Sequence, residues 1–376
     1  MRQDQPRVLW VTNLAAPYRI PVWDALAQDF TLVVGLLENS ARLARDTGVN
    51  RGADWSAKDR HDGLHEYRTA RVRRGEDRHY GLCWVDAAMD LARSQAVLLG
   101  GWDSPAYFQL LAQARATGRA TVGFYESTLA SQSRADGPTA RARSWYFRSL
   151  DRVVVPGSAA RDAVLAMGVD PHRILTGFNA VDSARFRDAP EAAPHAGHRF
   201  LYVGQLIDRK NLEAVLAAFE QIAEPADSLT LIGRGDKRAA LSRQTEKLGI
   251  AQQVKFIDYV PNAELSAYMA EHDTLVLASK VEVWGLVVNE ALASGMQAVI
   301  TKNCGVAPSV AGMAGVYLAA PDGGDLAAAM HRARDEFTGR ISNPEILQYT
   351  PERFAKVFAR AFTEAIAERR GAGKGI

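Results

Sequence analysis

The sequence predicts an α/β protein made of two Rossmann-like, doubly wound domains facing a central cleft. Three observations lead there. At 376 residues the chain is long enough for two domains of ~150 residues each. Short β-branched runs alternate with longer amphipathic stretches, the pattern of parallel strands joined by crossover helices. A proline-rich stretch without periodicity, DAPEAAPHAG at 188–197, divides the chain near its middle. The domains are therefore drawn at 1–188 and 198–350, with a long amphipathic helix from Pro351 to Arg369 closing the chain.

In the first domain the strands are expected at Val8–Thr12, Thr31–Leu36, Val97–Gly101, Thr121–Tyr125 and Arg152–Val155. A helix over Pro105–Thr117 has Ser104 as cap, proline at its first position and Gly118 after its end. A second, Ala159–Met167, has Ser158 as candidate cap and Gly168 as stop. In the second domain the expected strands are Phe200–Val203, Ser228–Ile232, Val254–Asp258, Thr274–Leu277 and Gln297–Ile300. Helices are expected at Leu212–Glu224, Lys237–Leu248, Asn262–Glu271 and Leu286–Ser294.

Composition mainly excludes. With 47% hydrophobic and 23% charged residues the chain is globular, and a net charge of +2 gives no case for a nucleic-acid partner. Cys83 and Cys304 show no metal-ligand or disulfide spacing, which suits a reducing cytoplasm. No window approaches the ~20 apolar residues of a membrane span, so membrane contact is expected to be peripheral at most. The basic cluster Arg68–Arg78 reads as a solvated loop or as contact with an acidic acceptor or membrane surface. There is no Asp-x-Asp, no phosphate-binding GxxxxGK[ST], no GxSxG and no HExxH, so no metal site is expected.

Ligands of doubly wound sheets bind beyond the carboxyl ends of the strands, which directs attention to a few loops. In SKVEVWGLVVNEALASG, residues 279–295, Gly285 opens a helix whose first turn carries Leu286 and Val287. Free N–H groups and the positive end of the helix dipole favour a phosphate there. Glu290, about one turn in, is placed to accept from a ribose, and Glu282 to engage a sugar hydroxyl; each is also explained as dipole compensation or a solvated loop charge. Arg209 and Lys210, between a strand and a helix in FLYVGQLIDRKNLEAV, supply two cations for a diphosphate, or simply a basic loop. Gly233 and Gly235 in LIGRGDK form a tight turn, but GxGxxG is missing, against a dinucleotide-binding dehydrogenase. In the first domain Asn13, Arg19, Gly101, Trp102 and Glu126 all follow strands, as loop or cap residues or as the acceptor side of a site.

Taken together, VGQLIDRKN, LIGRGDK, VKFIDYV and EVWGLVVNEALASG, with seven residues between Glu282 and Glu290, resemble the retaining, GT-B-fold glycosyltransferases of family 4. NLAAPYRIP, GGWDSP, YEST and the run from VVVPGSAARD to FNAVD resemble a subgroup of it. The resemblance implies a nucleoside-diphosphate-sugar donor held mainly by the second domain, a hydroxyl acceptor held mainly by the first, and a final helix that returns to the first domain. It implies Glu290 at the ribose, Gly285 to Val287 and Lys210 at the diphosphate, and Glu282 at the donor sugar, with Arg209 and Glu126 as further catalytic candidates. Gly204, Gln205, Gly233, Gly235, Tyr259, Val260 and Trp284 complete the expected donor site. Gln205 stands where the family often has arginine, and Glu126 near where it often has histidine. No cofactor is implied, because the nucleotide-sugar is a co-substrate. A same-fold epimerase or sugar phosphorylase, and a non-catalytic sugar-nucleotide-binding protein, are the alternatives.

Overall fold

A computed structural model describes residues 5–37, 64–67, 69–73, 79–85, 87–132, 134–188, 195–320, 322 and 324–372. Contacts divide the chain into one unit of Met1–Phe178 with Pro351–Ile376, and another of Asn179–Thr350.

The first unit contains β1 (Arg7–Thr12), β2 (Thr31–Leu36), β3 (Leu64–Glu66), β4 (Thr69–Arg73), β5 (His79–Val85), β6 (Ala96–Leu99), β7 (Ala120–Phe124), β8 (Arg152–Pro156) and β9 (Ile174–Gly177). Seven of these form a sheet in the order β3-β2-β1-β6-β7-β8-β9, with every neighbouring pair parallel. β4 and β5 pair antiparallel by themselves. The sheet is covered on both faces, which is why its strands read as nearly continuous apolar runs. Leu9, Val11, Val97 and Leu99 pack with Tyr107, Leu110, Tyr146 and Phe147 from the helices Pro105–Ala116 and Gly137–Arg148. On the other face Trp10 and Phe124 meet Phe358 of the C-terminal helix Pro351–Ala372, at 4.6 and 5.4 Å between ring centres. Arg369 of that helix forms an ion pair with Asp151 at 2.8 Å, and Arg152 reaches back to Glu364 at 3.0 Å. The final helix is thus part of the first unit.

The second unit contains β10 (Arg199–Val203), β11 (Ser228–Ile232), β12 (Val254–Ile257), β13 (Thr274–Leu277), β14 (Gln297–Thr301) and β15 (Val316–Ala319). These are parallel in the order β12-β11-β10-β13-β14-β15. The strand order reverses between β10 and β13 here, and between β1 and β6 in the first unit. Those two places are where each sheet offers a ligand crevice at its carboxyl edge.

Several expectations are corrected. The first unit ends at Phe178, not at 188, because the segment from Asn179 packs on the second unit: the Asn179 carbonyl accepts from Asn289 at 2.7 Å, and Arg185 donates to Asn262 at 3.0 Å. Six residues of the expected linker, 189–194, lie outside the described residues. Ser158 does not cap a helix: Gly157 begins the helix Gly157–Ala166 directly on β8, and Pro156 is its N-cap. Ser104 does cap, accepting from the Ala106 N–H at 3.3 Å. Within the basic cluster, 69–73 form β4, whereas 68 and 74–78 lie outside the described residues. The helix expected from Asn262 starts only at Leu265.

Candidate functional site

In the second unit the loops after β10 and β13 are joined by hydrogen bonds to main-chain carbonyls. The Lys280 N–H donates to the Arg209 carbonyl at 2.8 Å, and the Arg209 guanidinium to the Val281 carbonyl at 3.3 Å. On its other side the β13 loop is held by the chain after β14: the Gly305 N–H donates to the Glu282 carbonyl and the Val306 N–H to the Trp284 carbonyl, each at 3.0 Å. This double tie places three charged groups together. The Lys210 ammonium donates to Glu282 Oε2, Arg209 is 3.5 Å from the same oxygen, and the Ser279 hydroxyl donates to it at 3.2 Å. Lys210 and Ser279 are buried, while nearly half of the Arg209 side chain is exposed. Counted formally, the cluster carries one net positive charge.

That charge lies at a helix start. Gly285 is the N-cap of Leu286–Ala293 with φ +98°, and no side chain caps the helix. A Cβ at Gly285 would stand 3.6 Å from Glu282 Cγ and 2.9 Å from Leu277 Cδ2, so the glycine is needed for both its dihedral and its space. Leu286 and Val287, both half-buried, form the first turn, where main-chain N–H groups and the helix dipole favour an anion. Sequence reasoning assigned Lys210 and Glu282 to different parts of a donor; the structure pairs them, because the two loops that carry them are stitched together.

The other donor-side candidates line the same edge. The Gly204 N–H donates to the Ile232 carbonyl at 2.9 Å, and the Tyr202 hydroxyl to the Gln205 carbonyl at 2.8 Å. Gly233 has φ +145° and a Cβ there would lie 1.8 Å from the Gly204 carbonyl oxygen, so the loops after β10 and β11 touch through backbone alone. A Cβ at Gly235 would lie 2.1 Å from the Leu206 carbonyl oxygen. Tyr259 and Val260 follow β12; Tyr259 is exposed, with the Arg234 guanidinium 5.8 Å from its ring centre. Trp284 is buried and donates to Asn289 at 3.0 Å, which makes it a support for the helix start and not an open binding surface. Glu290 is half-buried; lost hydration pushes its carboxyl pKa up to about 7 against the opposing pull of Arg185. Arg185, Asn262 and the buried Asn211, in the left-handed region at φ +57°, adjoin these groups and were missed from the sequence. Only the positive φ of Asn211, directly after Lys210, has a sequence signal, since asparagine tolerates that region.

In the first unit the candidates gather where β1, β6 and β7 end. Arg19 is buried, pairs with Glu126 at 2.8 Å and lies 4.2 Å over the Phe124 ring. Asn13 accepts from the Tyr107 hydroxyl at 2.7 Å, and the Gly101 carbonyl from Tyr146 at 3.0 Å. The Trp102 ring lies 5.3 Å from the Arg143 guanidinium. All five therefore share one sheet edge, although Glu126 is taken up by an arginine and does not stand as a lone acid.

Residues 185–336 match the family model described as Glycosyl transferases group 1. This part of the chain is a glycosyl transferases group 1 domain. Its matched span begins in the segment that packs on the second unit and covers β10 to β15 with their loops. Glycogen synthase of Mycobacterium tuberculosis is 29% identical over 197 residues, 51% of this chain and 48% of that protein. D-inositol 3-phosphate glycosyltransferase 2 of Catenulispora acidiphila is 31% identical over 215 residues, 51% of this chain and 50% of that protein. The chain thus spans about half the length of the curated relatives it matches. Among solved structures, Anabaena HepE in complex with UDP is similar with a TM-score of 0.67 at 14% identity, over 98% of this chain and 99% of that one. Sucrose-phosphate synthase from Thermosynechococcus elongatus follows with 0.63 at 18% identity, over 98% of each chain. These likenesses cover both units of the chain, and the group 1 domain is one half of a GT-B fold with two Rossmann-like units. No helix among the described residues is long and apolar enough to cross a membrane.

Proposed function

We propose that the protein is a retaining glycosyltransferase that needs no metal and moves a sugar from a nucleoside-diphosphate-sugar to an acceptor hydroxyl. The observation that carries this reading is the cluster of Arg209, Lys210 and Glu282 at the β10/β13 switch point, beside the uncapped helix start at Gly285. Two cations and a helix terminus are a site for a diphosphate, whose negative charge grows as the sugar leaves. Glu282, ordered by Lys210 and Ser279, presents a carboxylate to the sugar, and Glu290 accepts from the ribose. The acceptor is held in the first unit, at Asn13, Arg19, Gly101, Trp102 and Glu126. With positive side chains and a helix terminus serving the leaving group, the departing phosphate itself takes the acceptor proton, and the protein contributes orientation and charge stabilisation. The donor base is proposed to be uracil, since Anabaena HepE was solved with UDP and with UDP-glucose. The reading places the protein in the cytoplasm, where such donors are made.

A thermal-shift panel of UDP-, GDP- and dTDP-sugars tests it, followed by calorimetry on the best nucleotide. A selective shift with UDP-sugars, lost in Lys210→Ala and weakened in Glu290→Ala, is expected. Absence of any nucleotide binding, or unchanged affinity in both variants, overturns the reading. Sugar isomerised without acceptor would assign an epimerase instead, and phosphate-dependent release of sugar phosphate a phosphorylase.

A further inference from the structure

Beside the Arg19–Glu126 pair, the first unit holds a second buried guanidinium with different company. Arg143, on the helix Gly137–Arg148, is 3% exposed. It donates to Gln132 Oε1 at 2.7 Å and lies 5.3 Å from the Trp102 ring centre, while its Nε is buried without a hydrogen-bond partner. Gln132 Nε2 is likewise buried and unpartnered. The Tyr125 hydroxyl, in reach of Ser127 and Gln132, faces the same guanidinium. Among the described residues no carboxylate pairs with Arg143, whereas Arg19 has Glu126 at 2.8 Å.

A guanidinium so deeply buried is costly unless an anion meets it, and its planar fork matches the two oxygens of a carboxylate or phosphate. Trp102, Ser127 and Gln132 are only half-buried, so the group lies just beneath a surface that a ligand can reach. This surface is the carboxyl edge of β6 and β7, beside the switch point of the sheet. We infer that Arg143 and Gln132, with Tyr125 and Trp102, form an oxyanion subsite, and that the acceptor sugar or polyol carries a carboxylate or phosphate held there. The inference rests on the glycosyltransferase reading for the word acceptor, but the subsite itself is tested without it.

The full chain is titrated by calorimetry with inorganic phosphate, D-glucuronate and, as the neutral counterpart, D-glucose. At least one of the two anions is expected to bind at least about tenfold more tightly than glucose, and which one binds tells phosphate from carboxylate. Arg143→Gln should remove that preference while UDP affinity in the second unit stays at its original value, which reports that the variant is folded. If Arg143→Gln does not fold, Arg143→Lys keeps the charge but loses the fork, and should bind the anion several-fold more weakly with selectivity over glucose retained. Equal binding of glucose and both anions, no binding of either anion, or anion binding unaltered by substitution of Arg143 overturns the subsite. Failure of UDP to bind the unsubstituted chain would instead overturn the glycosyltransferase reading and leave the anion titration interpretable.

Discussion

The Lys210–Glu282 pair lends itself to a double-mutant cycle. Both side chains are largely buried, at 10% and 13% exposure. Removing one member of such a pair leaves the other charge stranded, which costs ~3–5 kcal/mol. In Lys210→Ala the Arg209 guanidinium, 3.5 Å from Glu282, remains to offset part of the loss. Because nearly half of that arginine is exposed, screening limits its help to about 1 kcal/mol. Each single variant is therefore expected to lose about 3 kcal/mol, which for a unit of this size lowers its melting temperature by roughly 6–12 °C. The double variant Lys210→Ala, Glu282→Ala strands neither charge and should lose about as much as one single, a coupling of ~2–3 kcal/mol. Calorimetric unfolding of the four proteins measures this. Strictly additive losses would refute the argument, since they would show that the two groups do not meet in solution. Transfer assayed at 15 °C, where all variants stay folded, should fall by about 10²–10³ in Lys210→Ala through lost charge stabilisation.

Three further outcomes are expected. The folded-state pKa of Glu290 lies at about 7, above its model-compound value of 4.5, so the folded form holds the proton more tightly and stability is lost as pH rises through 7. Glu290→Gln should then be more stable than the parent at pH 8.5 by up to about 3 kcal/mol and no different near pH 4.5, while UDP affinity of the parent, unlike the variant, rises from pH 6 to pH 8. Gly233→Ala must place a Cβ against the Gly204 carbonyl oxygen, 1.8 Å away, and is expected to cost at least ~2 kcal/mol in urea unfolding and to abolish nucleotide binding; stability within 0.5 kcal/mol of the parent would contradict the close approach. His198 and His272 have pKa values lowered chiefly by burial, so the unfolded chain takes up protons first and stability should drop as pH falls below about 6.5, with a shallower slope in His198→Gln, His272→Gln.

The parallel strands were legible because both faces of each sheet are covered. Runs such as VLWVT and TLVLA are apolar throughout, and the observed bounds of β2, β11 and β13 are those expected. What escaped was polar or short. β4 reads TARVR, an alternating run that is short and rich in arginine, and β9 and β15 have four residues each and end their sheets. The candidate site was legible as a set of loops but not as a set of contacts. Lys210 and Glu282 are 72 positions apart and meet only because β10 and β13 are neighbours, an adjacency fixed by strand order and not by local pattern. Glu126 looked like a lone acid at a strand end for the same reason: its partner Arg19 comes from a different strand end. Arg143, in the helix segment ARARSWYFR, has the appearance of an ordinary surface arginine, and only packing distinguishes it from Arg141 and Arg148, which are exposed.

The docking of Pro351–Ala372 on the first unit imposes an order on biosynthesis. Phe354, Phe358 and Phe362 fill the face of a sheet whose strands were all made before residue 178, packing on Phe124, Trp10 and Phe30. Until that helix is made, Trp10 has Trp23 at 6.0 Å and Phe124 has Arg19 at 4.2 Å, but the places that Phe354, Phe358 and Phe362 take on that face stay open. The second unit, continuous from Asn179 to Thr350, has all of its sheet in hand earlier. The unit whose sheet is made second can therefore complete its core first, and the first unit is completed only when residues 351–372 reach the sheet that begins at Arg7.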